Sequence, residues 1–386
     1  MTEQAKDTVL SPLVIQGLPK FVSFICHRFF ERALWAFAEL GIADLMADYK
    51  SPITAAKLSQ LNGNSWNIGF VYRLLQTISD ADIVQQCITN TDGSHRNMNP
   101  EHENHFQLTN SGLFLTTNHP SKARDMIRLH FGPVMDHSSR YLPDLIRHGY
   151  SNGNGFEQAF GDSLFDYLQR EENQDYSNMF DNAMSASSNY VVPSMARNIN
   201  FSRFETLVDV GGGLGTLLAF ILEKYPKLNG IVFDLEHVIE NAKKTGSHTF
   251  QQKGIEFNRY RFIAGDMFKF ETIPAADSYM LKFIIHDWDD EKSVNILKSI
   301  RMANRNSQYN NVTIFLVEMI LLSDDINNWE ARATDMEMLT NTGAKERTKD
   351  EYVHLLKLSG YEFKQLYRTD GFYSIIEAIS KTELSD

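Results

Sequence analysis

The stretch YMLKFIIHDWDDE, from Tyr279 to Glu291, ends an apolar run in a histidine and follows it with acids. A histidine there can take a proton at neutral pH, since its ordinary pKa is about 6.5. The same stretch can also be a plain strand-to-helix junction, because Asp287, Asp289 and Asp290 suit a first helical turn. Further upstream, LVDVGGGLGTLLAFILEKYP sets Gly211, Gly212, Gly213 and Gly215 between an apolar run and a helical pattern. Glycines allow a tight turn and close approach to backbone, and a helix start offers free N–H groups. That is a nucleotide-type cofactor loop or, more simply, a tight turn.

Neighbouring acids narrow the choice. Asp234 closes the next apolar run, GIVFD, where an acid can accept both ribose hydroxyls. The glycine spacing is G-G-G-x-G, not the dinucleotide G-x-G-x-x-G. Asp209, just before the glycines, would repel a pyrophosphate but suits a cationic aminoacyl tail. S-adenosylmethionine is therefore favoured over a nicotinamide dinucleotide. In GDMF, Asp266 can hold the adenine amino group and Met267 can lie on the ring, or Met267 can be core filler.

These residues need a scaffold that collects them. ETLVDV, IVFDL, RFIAGDMF, SYMLKFII and VTIFLVEMI are β-type runs separated by helical patterns, which predicts βαβ units and a mostly parallel sheet. Ligands bind beyond the carboxyl ends of such strands, so Asp209, Gly211 to Gly215, Asp234, Asp266 and His286 should share one crevice. YEFKQLYRTDGFYSIIEA predicts an antiparallel hairpin at the sheet edge.

The preceding half is different. Phe21 to Met46 is apolar almost all round at helical spacing, which predicts deep burial, either in the chain or against another subunit. Two short helical patterns, a strand near Ile83 and another at Phe106 predict a winged helix. The polar loop Thr89 to His105 carries His95, His102 and His105, but their spacing fits no standard metal site. Residues 121–200 are mostly helical in pattern, and the domain boundary is expected at 185/186: an N-terminal helical unit over 1–185 and a cofactor-binding catalytic domain over 186–386.

A chain of 386 residues fits two domains. Its formal net charge of −12 argues against nucleic acid and anionic membranes as partners. Across residues 51–120, Lys57, Arg73 and Arg96 face Asp80, Asp82, Asp92, Glu101 and Glu103, the wrong sign for phosphate. Two cysteines, Cys26 and Cys87, exclude a disulfide framework. The N-terminus does not read as a signal peptide, and no apolar run approaches the roughly 20 residues of a membrane span, so a cytoplasmic location is expected.

DVGGGLG, GDMF, LKFIIHDW and GAKERTKDEY resemble the plant-type and hydroxyindole-type O-methyltransferases that use S-adenosylmethionine. LGIADLM, FQLTNSG and AFGDSLFDYLQREENQDYSNMFDNAMSASSN resemble that family's dimerisation and winged-helix region. The resemblance covers most of the chain. It implies a Rossmann-like α/β catalytic domain, a homodimer, and a small hydroxylated aromatic acceptor. It also implies that His286 is a general base flanked by Glu318 and Glu346. Gly211, Gly213, Asp209, Asp234, Asp266, Met267, Lys282 and Ser188 would contact the cofactor, and Met184 and Asn341 the acceptor. Phe131 and Met135, with His137, fall in a loosely matching acceptor-side segment, which leaves the acceptor open. On the residues themselves, Glu318 can be only a strand-end acid, and Glu346 only a surface ion pair with Lys345 and Arg347. The competing readings are an N- or C-methylating relative, a cofactor-binding scaffold without turnover, and a nucleic-acid binder. No metal is expected.

Overall fold

The structure is a computed structural model that describes residues 15–87, 104–309, 311–322, 328–369 and 372–381. The expected loop at 89–105 therefore lies almost entirely outside the described residues, with His95 and His102. The chain groups into two compact units, Met1–Gly132 and Pro133–Asp386.

In the first unit, helices Ala55–Leu61 and Ile68–Ser79 precede an antiparallel ribbon, β1 (Val84–Cys87) and β2 (His105–Leu108). These are the elements expected of a winged helix. Thr54 and Asn67 cap the two helices, each accepting a hydrogen bond from an amide of the first turn. Phe37, Ile42, Leu58, Leu75, Ile78, Val84 and Phe106 form its core. The helix Leu18–Glu39 is buried only towards its end, at Phe37 and Ala38. Leu18, Phe21, Val22, Phe24, Ile25 and Phe29 stand exposed. Deep burial within the chain is thus not what this apolar pattern achieves.

The second unit is built on a seven-stranded sheet. Its strands are β3 (Thr206–Val210), β4 (Asn229–Asp234), β5 (Tyr260–Ala264), β6 (Ser278–Lys282) and β7 (Thr313–Glu318). After the short pair β8 (Ile320–Leu321) and β9 (Arg347–Thr348) come β10 (Tyr361–Arg368) and β11 (Ser374–Ser380). The order is β10-β11-β7-β6-β3-β4-β5. β3 to β7 are parallel, and β11 and β10 add antiparallel at one edge.

Burial explains the strand sequences. β7 is buried at all six positions, as a central strand covered on both faces must be. Alternate residues face opposite layers. Val208, Val210, Tyr279, Leu281, Ile314 and Leu316 pack with helices Asp290–Ala303 and Lys349–Leu358. Leu207, Val232, Met280, Phe315 and Val317 pack with helix Thr216–Lys224, with Val191 and Met195 of the long helix Gln174–Asn198, and with Ile199 just past its end. β6 returns to the far side of β3 after β4 and β5 have been laid down, so the direction of winding reverses between β3 and β6. A ligand crevice is expected beyond their carboxyl ends. Among the described residues, no helix is long and apolar enough to cross a membrane.

Candidate active site

The glycine turn begins one residue past β3. Gly211 has φ +67, and its amide donates to the Phe233 carbonyl at 2.8 Å. A Cβ there would sit 2.3 Å from Ile284 Cδ1, so glycine lets this turn rest on the segment that follows β6. Gly213, at φ +53, has no heavy atom within 4 Å of where a Cβ would stand. Its amide donates to Asp234 Oδ2 at 2.9 Å, and the Leu235 amide holds Oδ1 at 2.7 Å. Burial pushes Asp234 up to about 6 against those two amides. Burial also pushes Asp209 up to about 7, although Lys282 opposes it. Asp181, on the long helix with Met184 and Ser188, accepts from Asn241 Nδ2 at 2.7 Å and is raised by burial to about 7, with Asp234 adding repulsion.

Three carboxyls thus hold their protons unusually tightly, and burial drops Lys282 to about 8. Open space at Gly213 beside an excess of acid fits a ligand with a net positive charge. S-adenosylmethionine, with its sulfonium and ammonium, is such a ligand. Asp209, Gly211, Gly213, Asp234 and Lys282 could hold it. Ser188 is buried and spends its hydroxyl on the Met184 carbonyl at 3.0 Å. Asp266 follows β5, where its carboxylate accepts from the Phe268 amide at 2.9 Å and pairs with exposed Lys269 at 3.0 Å. Met267 packs against the first core layer, in keeping with its alternative as filler.

His286 lies in a 3₁₀ turn, Ile285–Asp287, and is only 6% exposed. Its Nδ1 is 2.9 Å from Glu346 Oε1 and 3.8 Å from Glu318 Oε2. Only the first is a hydrogen bond. An ionised Glu346 accepts at Nδ1, so in the neutral ring Nε2 carries the free lone pair. Asp287 Oδ1 is 3.7 Å from Nε2, too far to bind it. Burial disfavours the imidazolium, but Glu346, Asp287 and Glu318 outweigh it and push His286 up to about 10. In return burial raises Glu318 to about 7 and Asp287 to about 6, both held down by His286.

The topology explains how two distant glutamates meet. Glu318 is the last residue of β7, and its Oε1 accepts from the Ile285 amide at 3.0 Å. β8 then pairs with β9, register Ile320↔Arg347, which draws Glu346 alongside. The Glu346 amide is itself held by Asp335 at 2.9 Å. Glu346 is not a surface pair: it is 1% exposed, while Lys345 turns to Glu351 at 2.7 Å. Arg347 is fully buried and binds the Ile285 and Trp288 carbonyls at 2.8 and 2.7 Å and Asp290 at 2.8 Å. It clamps the turn that carries the histidine. Asp289 caps the next helix at the Lys292 amide, so the helix-start reading holds for Asp289 and Asp290 but not for Asp287.

Asn341 and the Met135 backbone come close through Ser138, whose hydroxyl has one proton to share between Asn341 Oδ1 at 2.6 Å and the Met135 carbonyl at 3.0 Å. Phe131 belongs to the first unit, at the end of helix Ala123–His130, where Arg32 binds its carbonyl. His137 is exposed and packs on Phe160 and Tyr141. The sequence led to no expectation of a metal. In fact His286, Glu318 and Glu346 bring three donor atoms within 4.8 Å of one another.

The sequence singles out neither Asp181 nor Asp335, and it marks Asp287 only as a helix-start acid and Arg347 only as a surface charge.

Comparison with known proteins bears on the fold and the family. The O-methyltransferase domain matches residues 139–362. Tabersonine 16-O-methyltransferase of Catharanthus roseus is 28% identical over 91% of this chain and 94% of its own length. Isoflavone 4'-O-methyltransferase of Medicago truncatula is 30% identical over 89% and 91%. The structure of human N-acetylserotonin methyltransferase in complex with SAM superposes with a TM-score of 0.80 at 24% identity, over 97% of this chain and all of that one. With a matched domain over more than half its length and this surrounding geometry, the chain belongs to the O-methyltransferase family.

Proposed function

We propose that the protein methylates a hydroxyl of a small aromatic molecule with S-adenosylmethionine, and that His286 is its general base. The observation that carries this reading is the buried His286–Glu346 bond at 2.9 Å, just past β6, with Nε2 left unbonded. When bound, S-adenosylmethionine supplies a methyl group already activated by positive sulfur. A phenol with a pKa of about 10 is mostly protonated at pH 7, so its oxygen gains from a base that removes the proton as it attacks. Nε2 of His286 takes that proton. Glu346 fixes the ring and stabilises the imidazolium that forms, as the acid does in a serine triad. Glu318 holds the turn through the Ile285 amide and adds charge from 3.8 Å. His286 gives up its own proton more readily once positive charge occupies the crevice beside Asp209. No metal enters this reading, because the base and the activated methyl already supply its chemistry.

Asp209, Gly211, Gly213, Asp234, Asp266, Met267, Lys282 and Ser188 are proposed to contact the cofactor. Met184, Asn341, Phe131 and Met135 are proposed to face the acceptor. Residues 1–185 are proposed to serve dimerisation and 186–386 to carry the cofactor chemistry, in a cytoplasmic homodimer. The exposed apolar face of Leu18–Glu39 supports the dimer. Isoflavone and alkaloid relatives support an aromatic acceptor.

The test is a panel of phenols, hydroxyindoles and hydroxyquinones with labelled S-adenosylmethionine, read by mass, for the wild type and His286→Ala. The expected loss is about 10²- to 10⁴-fold with cofactor affinity unchanged. Nearly intact turnover in the variant would sink the base assignment.

A further inference from the structure

Phe283 leaves β6 with φ +57, a left-handed conformation that a bulky side chain rarely adopts. Its amide donates to the Val317 carbonyl at 3.1 Å, so the turn is held by the sheet and not by a free loop. The conformation has a consequence for the side chains. In an extended strand Lys282 and Phe283 would point to opposite faces. Here Lys282 Nζ lies 3.9 Å from the centroid of the Phe283 ring. The same ring stacks on the His286 imidazole at 5.4 Å and 28°, and meets Tyr373 at 4.8 Å. Strained backbone at such a point is often kept because the geometry it creates is needed.

We propose that Phe283 is a positioning residue for the reaction: its ring, brought round by the left-handed turn, braces the plane of the His286 imidazole so that Nδ1 stays on Glu346 and Nε2 stays free. The proposal rests on the reading of His286 as the base. The groups that act on the histidine are Glu346, Asp287 and Glu318, all acids and all within 3.8 Å of a ring nitrogen. Left alone, a charged imidazole among three carboxylates could rotate to satisfy any of them. A stacked ring restricts that rotation, and its π face also favours the imidazolium formed when a proton arrives. Tyr373, just before β11, backs the ring from the antiparallel edge of the sheet.

The test compares Phe283→Leu, which keeps bulk but loses the flat ring, with Phe283→Trp, which restores one. Phe283→Leu should lower kcat by about tenfold or more, with the KM for S-adenosylmethionine within about twofold. Losing the π face removes an attraction to the imidazolium, so the rising limb of the pH profile should move to lower pH. Phe283→Trp should restore most of the rate and the limb. His286→Gln is measured in parallel. If it is inactive while Phe283→Leu keeps the wild-type rate and profile, the positioning role is overturned and the base stands. If His286→Gln is active, the base reading itself has failed. Should Phe283→Leu not fold, the wild type still decides: the ring protons of His286, assigned by their loss in His286→Gln, should be displaced upfield by the Phe283 ring current. Resonances without that displacement overturn the stacking.

Discussion

His286 commits one nitrogen and leaves the other open, and the cause is Glu346. Burial alone would lower the affinity of the ring for a proton, whereas Glu346, Asp287 and Glu318 raise it. A base works only after losing its proton. A histidine raised to about 10 therefore puts the rising limb of kcat/KM against pH on the alkaline side of the usual histidine range. Glu346→Gln removes the largest attraction to the imidazolium while leaving an oxygen to accept from Nδ1. Its limb should move to lower pH, and its plateau rate should fall by roughly tenfold to a hundredfold, because a neutral amide stabilises the cation less. The pH profiles of the two proteins check this. A limb that stays in place or moves upward would show that Glu346 does not control the histidine. At this scale the motif resemblance pointed to His286, Glu318 and Glu346, three side chains that the fold brings together. The sequence was illegible where one charge had to be assigned to one of two neighbours. Asp287 and Asp289 look alike in a string, yet one faces the His286 imidazole and the other caps a helix.

Among the elements, the parallel strands and the edge hairpin could be read from apolar runs, since both faces of such a sheet are covered. The junctions could not. SYMLKFII reads as one strand through Ile285, but β6 stops at Lys282 because Phe283 turns left-handed. The pairing of β8 with β9, which brings Glu346 to Glu318, spans only two residues on each side and has no periodicity to detect. Nor does the string reveal that the glycine loop leans on Ile284, inside the segment joining β6 to the base. That close approach sets the glycine loop against the segment that carries His286. Gly211→Ala would place a Cβ 2.3 Å from Ile284 Cδ1 at a residue with φ +67. The expected outcome is a loss of about 1–3 kcal/mol in stability together with weaker cofactor binding and a lower kcat. Urea unfolding and cofactor titration measure the first two. A variant that lost cofactor affinity but kept full kcat at saturation would show that loop and base are not coupled.

For the whole molecule, two parts were expected with a boundary at 185/186, while the two compact units divide between Gly132 and Pro133; the fate of the first long helix was not legible. Leu18, Phe21, Val22, Phe24, Ile25 and Phe29 are between 44% and 75% exposed on one helix, a far larger apolar display than isolated surface residues make. Helical periodicity records that such residues are apolar, not which chain covers them. Burying each large apolar side chain is worth about 1.5–3 kcal/mol, so six on each of two copies can outweigh the roughly 4–15 kcal/mol that association costs. A second copy of the chain is the natural cover, since the same helix on each supplies matching surfaces about a twofold axis. Ile25→Glu combined with Phe29→Glu places two charges on that face. Sedimentation should show the wild type at about twice its 44.2 kDa chain mass and the double variant at the single-chain mass. The variant should also melt earlier, because its remaining apolar face stays in water. A wild type that sediments as a monomer at micromolar concentration would refute the dimer and leave that face to a different partner.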